Sequence, residues 1–383
     1  MMDGMTLLHD RTDAQLRASG CVKWALAAAD VLPAWVAEMD FAVAEPITTA
    51  LHTAVDQGRL GYGPPDEQCG VAESFAAFAA SRWGWQVEAE RVVLAGDVVD
   101  AVARVLDTLA EDGPVVVPTP AYPPFLTVIG HTGRKIIPAP LDPDAAVAEH
   151  NLEAIDAALR AGARTLLLCS PHNPWGRSFG RSELEALRDV IEAHGAMVIA
   201  DEIHAPLTLP GSSHIPYARV ASPGAPVVTL TSATKAWNIP GLKCAQIVCS
   251  SAAQAARVRA HPLHPGQSAL GTVAGRAAYE QGGPWLDEVI ATLDGNRRLF
   301  ARLVQEKLPR ARMRPLEATY LAWLDARAYG LPSPGETALD KGRVWVDHRP
   351  WGPGGDGHVR VNLATSPERV AEIVDRLAIA WEH

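Results

Sequence analysis

The chain has 383 residues, 48% of them hydrophobic and 20% charged, and a formal net charge of -10. That length is enough for two domains and a large core, and the acidic balance argues against a nucleic-acid or acidic-membrane partner, since either normally calls for a basic face. The five cysteines (Cys21, Cys69, Cys169, Cys244, Cys249) are odd in number, scattered and without a CxxC pair, which reads as reduced thiols of a cytoplasmic protein rather than a disulfide or zinc framework.

The opening MMDGMTLLHDRTD carries acids early and no long apolar region, so no signal peptide is expected, and no run is apolar enough to span a bilayer. Residues 1–45 are expected to form a loosely structured arm. It contains LPAWVAEMDF (Leu32 to Phe41), whose Trp35, Met39 and Phe41 suit the packing of an extended segment. Pro46 to Gln57 has helical apolar spacing and leads into the turn-rich GRLGYGP, where Tyr62 between glycines reads by itself as a surface aromatic. Val92 to Leu94 predicts a strand, Gly96 a turn, and Val98 to Leu109 a buried helix capped by Asp97. A strand, a glycine and a helix start also make an anion site, because free backbone N–H groups and the helix dipole point the same way. Val115 to Val117 predicts the next strand, followed by a proline-fixed loop that carries Tyr122.

Thr165 to Cys169 is an apolar run that ends in the turn Ser170-Pro-His-Asn173-Pro. Ser182 to His194 reads as an amphipathic crossover helix, and Ala196 to Ala200 is a further strand ending in Asp201, Glu202, Ile203 and His204. Val227 to Leu230 opens in the same way into a loop that presents Lys235 before the break at Pro240-Gly241. Residues 251–282 read as mostly helical, interrupted by His261-Pro-Leu-His264-Pro. Those histidines flank prolines and have no acidic or cysteine partner nearby, so no metal is expected there. A long helix from Trp285 to Leu308 precedes strands near Met313–Leu316, Tyr320–Leu324, Val344–Val346 and Val359–Leu363, and a last helix runs from about Pro367 to Trp381. Strands bunched before a terminal helix suggest an α+β unit rather than a continuation of the parallel sheet. GPGGDG (Gly352 to Gly357) lacks the Gly-Lys-Ser/Thr of a P-loop and reads as a loop before Arg360.

Short apolar runs alternating with helices imply a parallel sheet, which binds ligands at the carboxyl ends of its strands. Asn173, Asp201, His204 and Lys235 should therefore converge on one crevice. An amide, a carboxylate and an amine there suit pyridoxal 5'-phosphate (PLP), whose aldehyde condenses with a lysine and whose ring nitrogen needs an anionic partner to stay protonated. At this point SPHNPWGR, DEIH and SATKAWNIPGLK give the sequence a resemblance to the fold-type I, class I/II aminotransferase family, and most of all to its carbon-sulfur beta-lyase (cystathionine beta-lyase) branch.

The resemblance implies an α/β fold with a large PLP-binding domain over residues 46–280 and a smaller α+β domain made of 281–383 and the arm 1–45. It implies Lys235 as the residue that condenses with the cofactor and then, freed by the substrate amine, removes the α proton. Asp201 would pair with the ring nitrogen, Asn173 would bond the ring's 3-oxygen, and His204 would support Asp201 or that oxygen. Tyr122 would stack on the ring. Ser232, Lys243 and the helix start at Gly96, Asp97 and Val98 would hold the phosphate, with Asp97 turned to its own helix. Arg360 in RVNLATS would clamp the substrate α-carboxylate. Trp35 would lie near the substrate pocket, in a segment where Glu38 replaces the branch's usual Asp. Tyr62 would reach the phosphate across a homodimer interface.

The implied activity is α,β-elimination from L-cystathionine or a related cysteine S-conjugate, giving a thiol, pyruvate and ammonia. The alternatives are an aminotransferase on the same residues, a secondary-metabolism enzyme for a large cysteine conjugate, and a regulatory partner that keeps its cofactor.

Overall fold

The computed structural model describes residues 7–261 and 266–382. A short strand, β1 (Leu32–Ala34), precedes seven that form the main sheet: β2 (Val92–Ala95), β3 (Val115–Thr119), β4 (Ile136–Pro140), β5 (Thr165–Cys169), β6 (Met197–Asp201), β7 (Val227–Thr231) and β8 (Ala245–Cys249). Their order is β2-β8-β7-β6-β5-β3-β4, with β8 antiparallel to both neighbours and every other pair parallel. Helices cover both faces, so most strands are apolar along their whole length, as a sheet buried on two sides requires. Within β3 the two-residue period is plain: Val115 and Val117 join one core cluster with Val102, Ile199 and Leu230, and Val116 joins the other with Leu166, Leu187 and Val198.

Two main-sheet strands carry weak sequence signals. The edge strand β4 holds Pro138 and Pro140, which suit a strand with one unpaired side. β8 follows the Pro240-Gly241 break and runs against the parallel direction.

The central register sets up the site. Cys169 on β5 lies opposite Asp201 on β6, and Asp201 opposite Leu230 on β7. These three strands end at one level, and the segments 170–173, 201–204 and 232–235 leave from the same edge of the sheet. The crossover helix between β5 and β6 is Arg181–Ala193, and Val98–Thr108 packs on β7 and β8 as well as β2.

Outside the main sheet, β9 (Arg312–Met313), β10 (Leu321–Asp325), β11 (Val344–Val346) and β12 (His358–Asn362) form the expected mixture with helices Gly283–Lys307, Pro334–Gly342 and Pro367–Glu382. β12-β10-β9 is antiparallel, and β11 pairs in parallel with β1. The β1 pairing corrects the reading of the N-terminal arm as loosely structured. Its described part has helices Asp13–Ala18 and Val22–Ala25, and it buries Trp24, Met39 and Phe41. Lys23 and Asp40 form an internal ion pair of 2.9 Å, and the Trp24 indole donates to the same carboxylate at 2.7 Å. A buried pair satisfied in this way fixes the path of a segment whose composition suggests an extended arm.

All five cysteines are free. Among the described residues no helix is long and apolar enough to cross a membrane, and no group of His, Cys, Asp or Glu could hold a metal ion. His264 lies outside the described residues.

Candidate active site

The three strand-end segments open onto a cavity of about 150 Å³, lined by Ala37, Asp97, Val98, Val99, Tyr122, Phe125, Asn173, Asp201, Ile203, His204, Thr234, Lys235, Pro240 and Lys243. Larger grooves occur elsewhere on the surface, but this is where ionisable and aromatic groups from separate strand ends meet.

Lys235 does not stand on an open loop, as its neighbours suggest. It belongs to a single helical turn, Ala233–Ala236, capped by Ser232, whose hydroxyl accepts from the Thr234 N–H. The turn fixes the lysine backbone, and Nζ donates to the Ala37 carbonyl at 3.2 Å. Burial pushes the amine down to about 8, with the positive charges of Arg360 and Lys243 adding to the effect. Near neutral pH a usable fraction of it is therefore unprotonated.

Asp201 is buried at the end of β6. Oδ1 accepts the Ile203 N–H at 3.1 Å, and Oδ2 receives the Cys169 thiol at 3.7 Å. Burial pushes its carboxyl up to about 7. It forms no ion pair among the described residues, although it lies at the bottom of a polar cavity. His204 is also buried, its Nδ1 has no hydrogen-bond partner, and burial pushes the ring down to about 3, so the imidazole is neutral. No hydrogen bond joins it to Asp201. Its ring lies edge-on to Tyr320, with centroids 6.5 Å apart.

Asn173 accepts from Arg360 Nη1 through Oδ1 at 3.1 Å, which leaves its amide NH2 as the donating end. Arg360 is fully buried on β12. Its Nη2 donates to Asp347 Oδ2 at 2.7 Å and to the Trp35 carbonyl at 2.9 Å, while Nε has no partner. Asp347 holds Arg349 as well, at 2.9 Å from Nε and 2.7 Å from Nη2. Tyr122 caps helix Pro123–His131, and its ring packs edge-on against Phe125 at 5.3 Å.

Asp97 caps helix Val98–Thr108 through Oδ1, which accepts the Asp100 N–H at 2.9 Å; its other oxygen receives Lys243 Nζ. Burial pushes this carboxyl up, but the bonds from Lys243 and the Asp100 N–H outweigh it and hold the group below the usual range.

Five of the anticipated residues stand away from the cavity wall, among them Arg360, which is fully buried and meets the wall only through its bond to Asn173. Ser232 is buried with its hydroxyl donating to the Cys244 carbonyl at 2.6 Å, and Thr234 takes the exposed place beside it. Gly96 lies behind the helix start, its N–H turned to Asp100 Oδ2 at 3.4 Å. Trp35 stacks on Trp345 with centroids 4.4 Å apart and reaches the site only through its carbonyl. Tyr62 is fully exposed and lines a different groove with Arg59, Thr272 and Arg276. Conversely, sequence reasoning passed over Ala37, Thr234, Tyr320 and Asp347. The Tyr320 hydroxyl donates to the Ala37 carbonyl at 3.0 Å, so this carbonyl holds both Tyr320 and Lys235. A signal for Asp347 existed. The Gly-rich segment 352–357 allows the chain to double back, and Asp347 and Arg360 exchange backbone bonds at 3.0 and 2.8 Å across the return.

A mostly parallel sheet with helices on both faces, and a lysine, a carboxylate and an amide at neighbouring strand ends, defines a fold-type I PLP-dependent protein. The chain belongs to the aminotransferase class I and II family, whose model matches residues 31–377. It is 38% identical to a provisionally named cystathionine beta-lyase of Mycobacterium tuberculosis (strain H37Rv), over 97% of both chains. It is 35% identical to cystathionine beta-lyase PatB of Bacillus subtilis (strain 168), over 92% of both. A crystal structure of a provisionally named PLP-dependent beta-cystathionase from Corynebacterium diphtheriae superposes with a TM-score of 0.92, at 36% identity, covering 98% of this chain and 99% of that one.

The residues present fit the cofactor. Asp201 is a buried carboxylate without a cation, which a protonated ring nitrogen would supply. Lys235 is an amine of lowered basicity facing the same space, and the Asn173 amide is aimed by Arg360.

Proposed function

We propose that the protein is a PLP-dependent carbon-sulfur beta-lyase that cleaves L-cystathionine or a related cysteine S-conjugate to a thiol, pyruvate and ammonia. One observation carries the reading: the Lys235 amine and the buried Asp201 carboxylate share a cavity in a chain that matches named cystathionine beta-lyases over 92% and 97% of its length. When bound, PLP supplies an aldehyde for the amine and an electron sink for the α-carbanion.

The protein's own residues divide the remaining work. Asp201 holds negative charge at the cavity floor, where it costs least once a cation faces it. Asn173 donates from its amide, Tyr122 offers an aromatic face, and Val98 N–H, Thr234 and Lys243 form the anion-accepting end. Arg360 receives the substrate α-carboxylate, oriented by Asp347, Asn173 and the Trp35 carbonyl. Lys235 takes the proton from the α-carbon, the Cβ–S bond breaks with its electron pair on sulfur, and the thiolate leaves and is protonated. Water then converts the remaining three-carbon enamine to pyruvate and ammonia. His204 remains neutral and supports the floor of the cavity.

The same proposal includes the division into domains 46–280 and 1–45 plus 281–383, a cytoplasmic location consistent with five free thiols, and a homodimer. Val55, Leu60 and Tyr62 support the dimer, since they are large hydrophobic residues exposed within a short stretch of the chain. Tyr62 is then supplied to the partner's site. The test is Lys235→Ala: turnover should be lost, and substantial remaining lyase activity would remove the assignment.

A further inference from the structure

The cavity has a recognisable anion-accepting end. Asp97, Val98 and Val99, the cap and first turn of an 11-residue helix, meet Thr234 and Lys243 there. The first N–H groups of a helix have no partner within it, and the dipole adds positive potential at the same place. Lys243 supplies the charged side chain. Its backbone has φ 42°, in the left-handed region that non-glycine residues rarely adopt. Its carbonyl is held by the Ser268 N–H at 2.9 Å.

An anion already sits at that end, and it belongs to the chain. Lys243 Nζ donates to Asp97 Oδ2, while the other Asp97 oxygen caps the helix. Capping does not explain the choice of a charged residue, because asparagine caps about as well as aspartate. The charge is favoured by the helix dipole and by Lys243, and it also acts on whatever else Lys243 meets.

We propose that Asp97 is an internal counter-anion that limits how tightly the phosphate of PLP is held. The inference rests on the PLP reading given above. With Asp97 ionised, the Lys243 charge is already partly offset, so an incoming phosphate must share the lysine with a carboxylate or draw it away. The phosphate therefore contributes less to cofactor affinity than the helix start and the lysine would otherwise allow. Because Lys243 and the Asp100 N–H keep Asp97 ionised throughout the neutral range, the restraint does not vary between pH 6 and 8.

The discriminating variant is Asp97→Asn, which keeps the capping oxygen and removes the charge. Wild-type and variant proteins are stripped of cofactor and titrated with PLP, and separately with pyridoxal, which has the aldehyde and lacks the phosphate. Binding is followed by the absorbance of the lysine-linked chromophore. D97N should bind PLP about tenfold more tightly, which is about 1.4 kcal/mol, with pyridoxal affinity unchanged. Lys243→Met should weaken PLP binding, and the double variant should recover part of the loss because an unpaired carboxylate has been removed. Equal or weaker PLP binding by D97N overturns the inference, as does an equal gain for pyridoxal. If the wild type forms no chromophore with PLP at all, the PLP reading fails and the inference falls with it.

Discussion

Replacing Lys235 with Met should stabilise the cofactor-free protein near neutral pH. A lysine whose amine falls from 10.5 to about 8 on folding pays about 3 kcal/mol for carrying its charge in the folded state. Methionine fills a similar volume without that cost. The side chain retains some solvent contact, and the variant also gives up the bond from Nζ to the Ala37 carbonyl, worth about 1 kcal/mol, so the net gain should be about 1–2 kcal/mol. Well below pH 8 the lysine is almost entirely charged in both folded and unfolded chains, and nearly the full penalty applies. Between pH 8 and 10.5 the unfolded chain binds a proton that the folded one has released, so the wild type gains stability as pH rises and the advantage of the variant shrinks. Urea unfolding of both cofactor-free proteins from pH 6 to 10.5, followed by tryptophan fluorescence, reads the difference directly. A variant that is no more stable at pH 7, or a difference that does not vary with pH, would show that Lys235 carries no burial penalty.

Three further outcomes are expected. Asp201→Ala should lower β-elimination roughly 10²–10³-fold, because a charge placed where the reaction needs it is lost; steady-state pyruvate release measures it, and near-normal turnover would contradict the assigned role. Gly271→Ala should destabilise the protein by roughly 1–3 kcal/mol even though alanine is the better helix former. A Cβ at that position would lie 1.9 Å from the Leu242 carbonyl oxygen and 2.8 Å from that of Lys243. Thermal melting should show the loss, and PLP titration should show weaker binding as Lys243 shifts. If the protein is the proposed homodimer, Tyr62→Ala should be inactive, and mixing and refolding it with Lys235→Ala should restore about a quarter of wild-type activity, because half of the dimers then carry one intact site; an inactive Tyr62→Ala protein without recovery on mixing would place Tyr62 in its own subunit's site.

Much of this architecture is legible in the sequence because buried parallel strands leave continuous apolar runs. β5, β6 and β7 are read almost to the residue, and the segments that follow them bring Asn173, Asp201 and Lys235 to one edge. The helices Gly283–Lys307 and Pro367–Glu382 are equally plain from their apolar period. The harder parts depend on contacts between segments distant in sequence. The arm is ordered by β1 pairing with β11, more than 300 residues later, and by the Lys23–Asp40 pair. No local pattern signals either contact. Ser232 has the family spacing to Lys235, yet in the protein alone its proton goes to Cys244, and Thr234 faces the cavity. Asp347 escapes notice because its importance comes from holding two arginines, one of them 13 residues away. The sequence shows Asp97 as a helix cap, and the structure adds that its second oxygen engages Lys243.

Incubation of the purified, PLP-loaded protein with L-cystathionine and no keto acid separates β-elimination from transamination at this cavity. Pyruvate and free thiol should appear in equal amounts over many turnovers. Conversion of the cofactor once to its amine form without pyruvate would contradict β-elimination and assign the same residues to transamination.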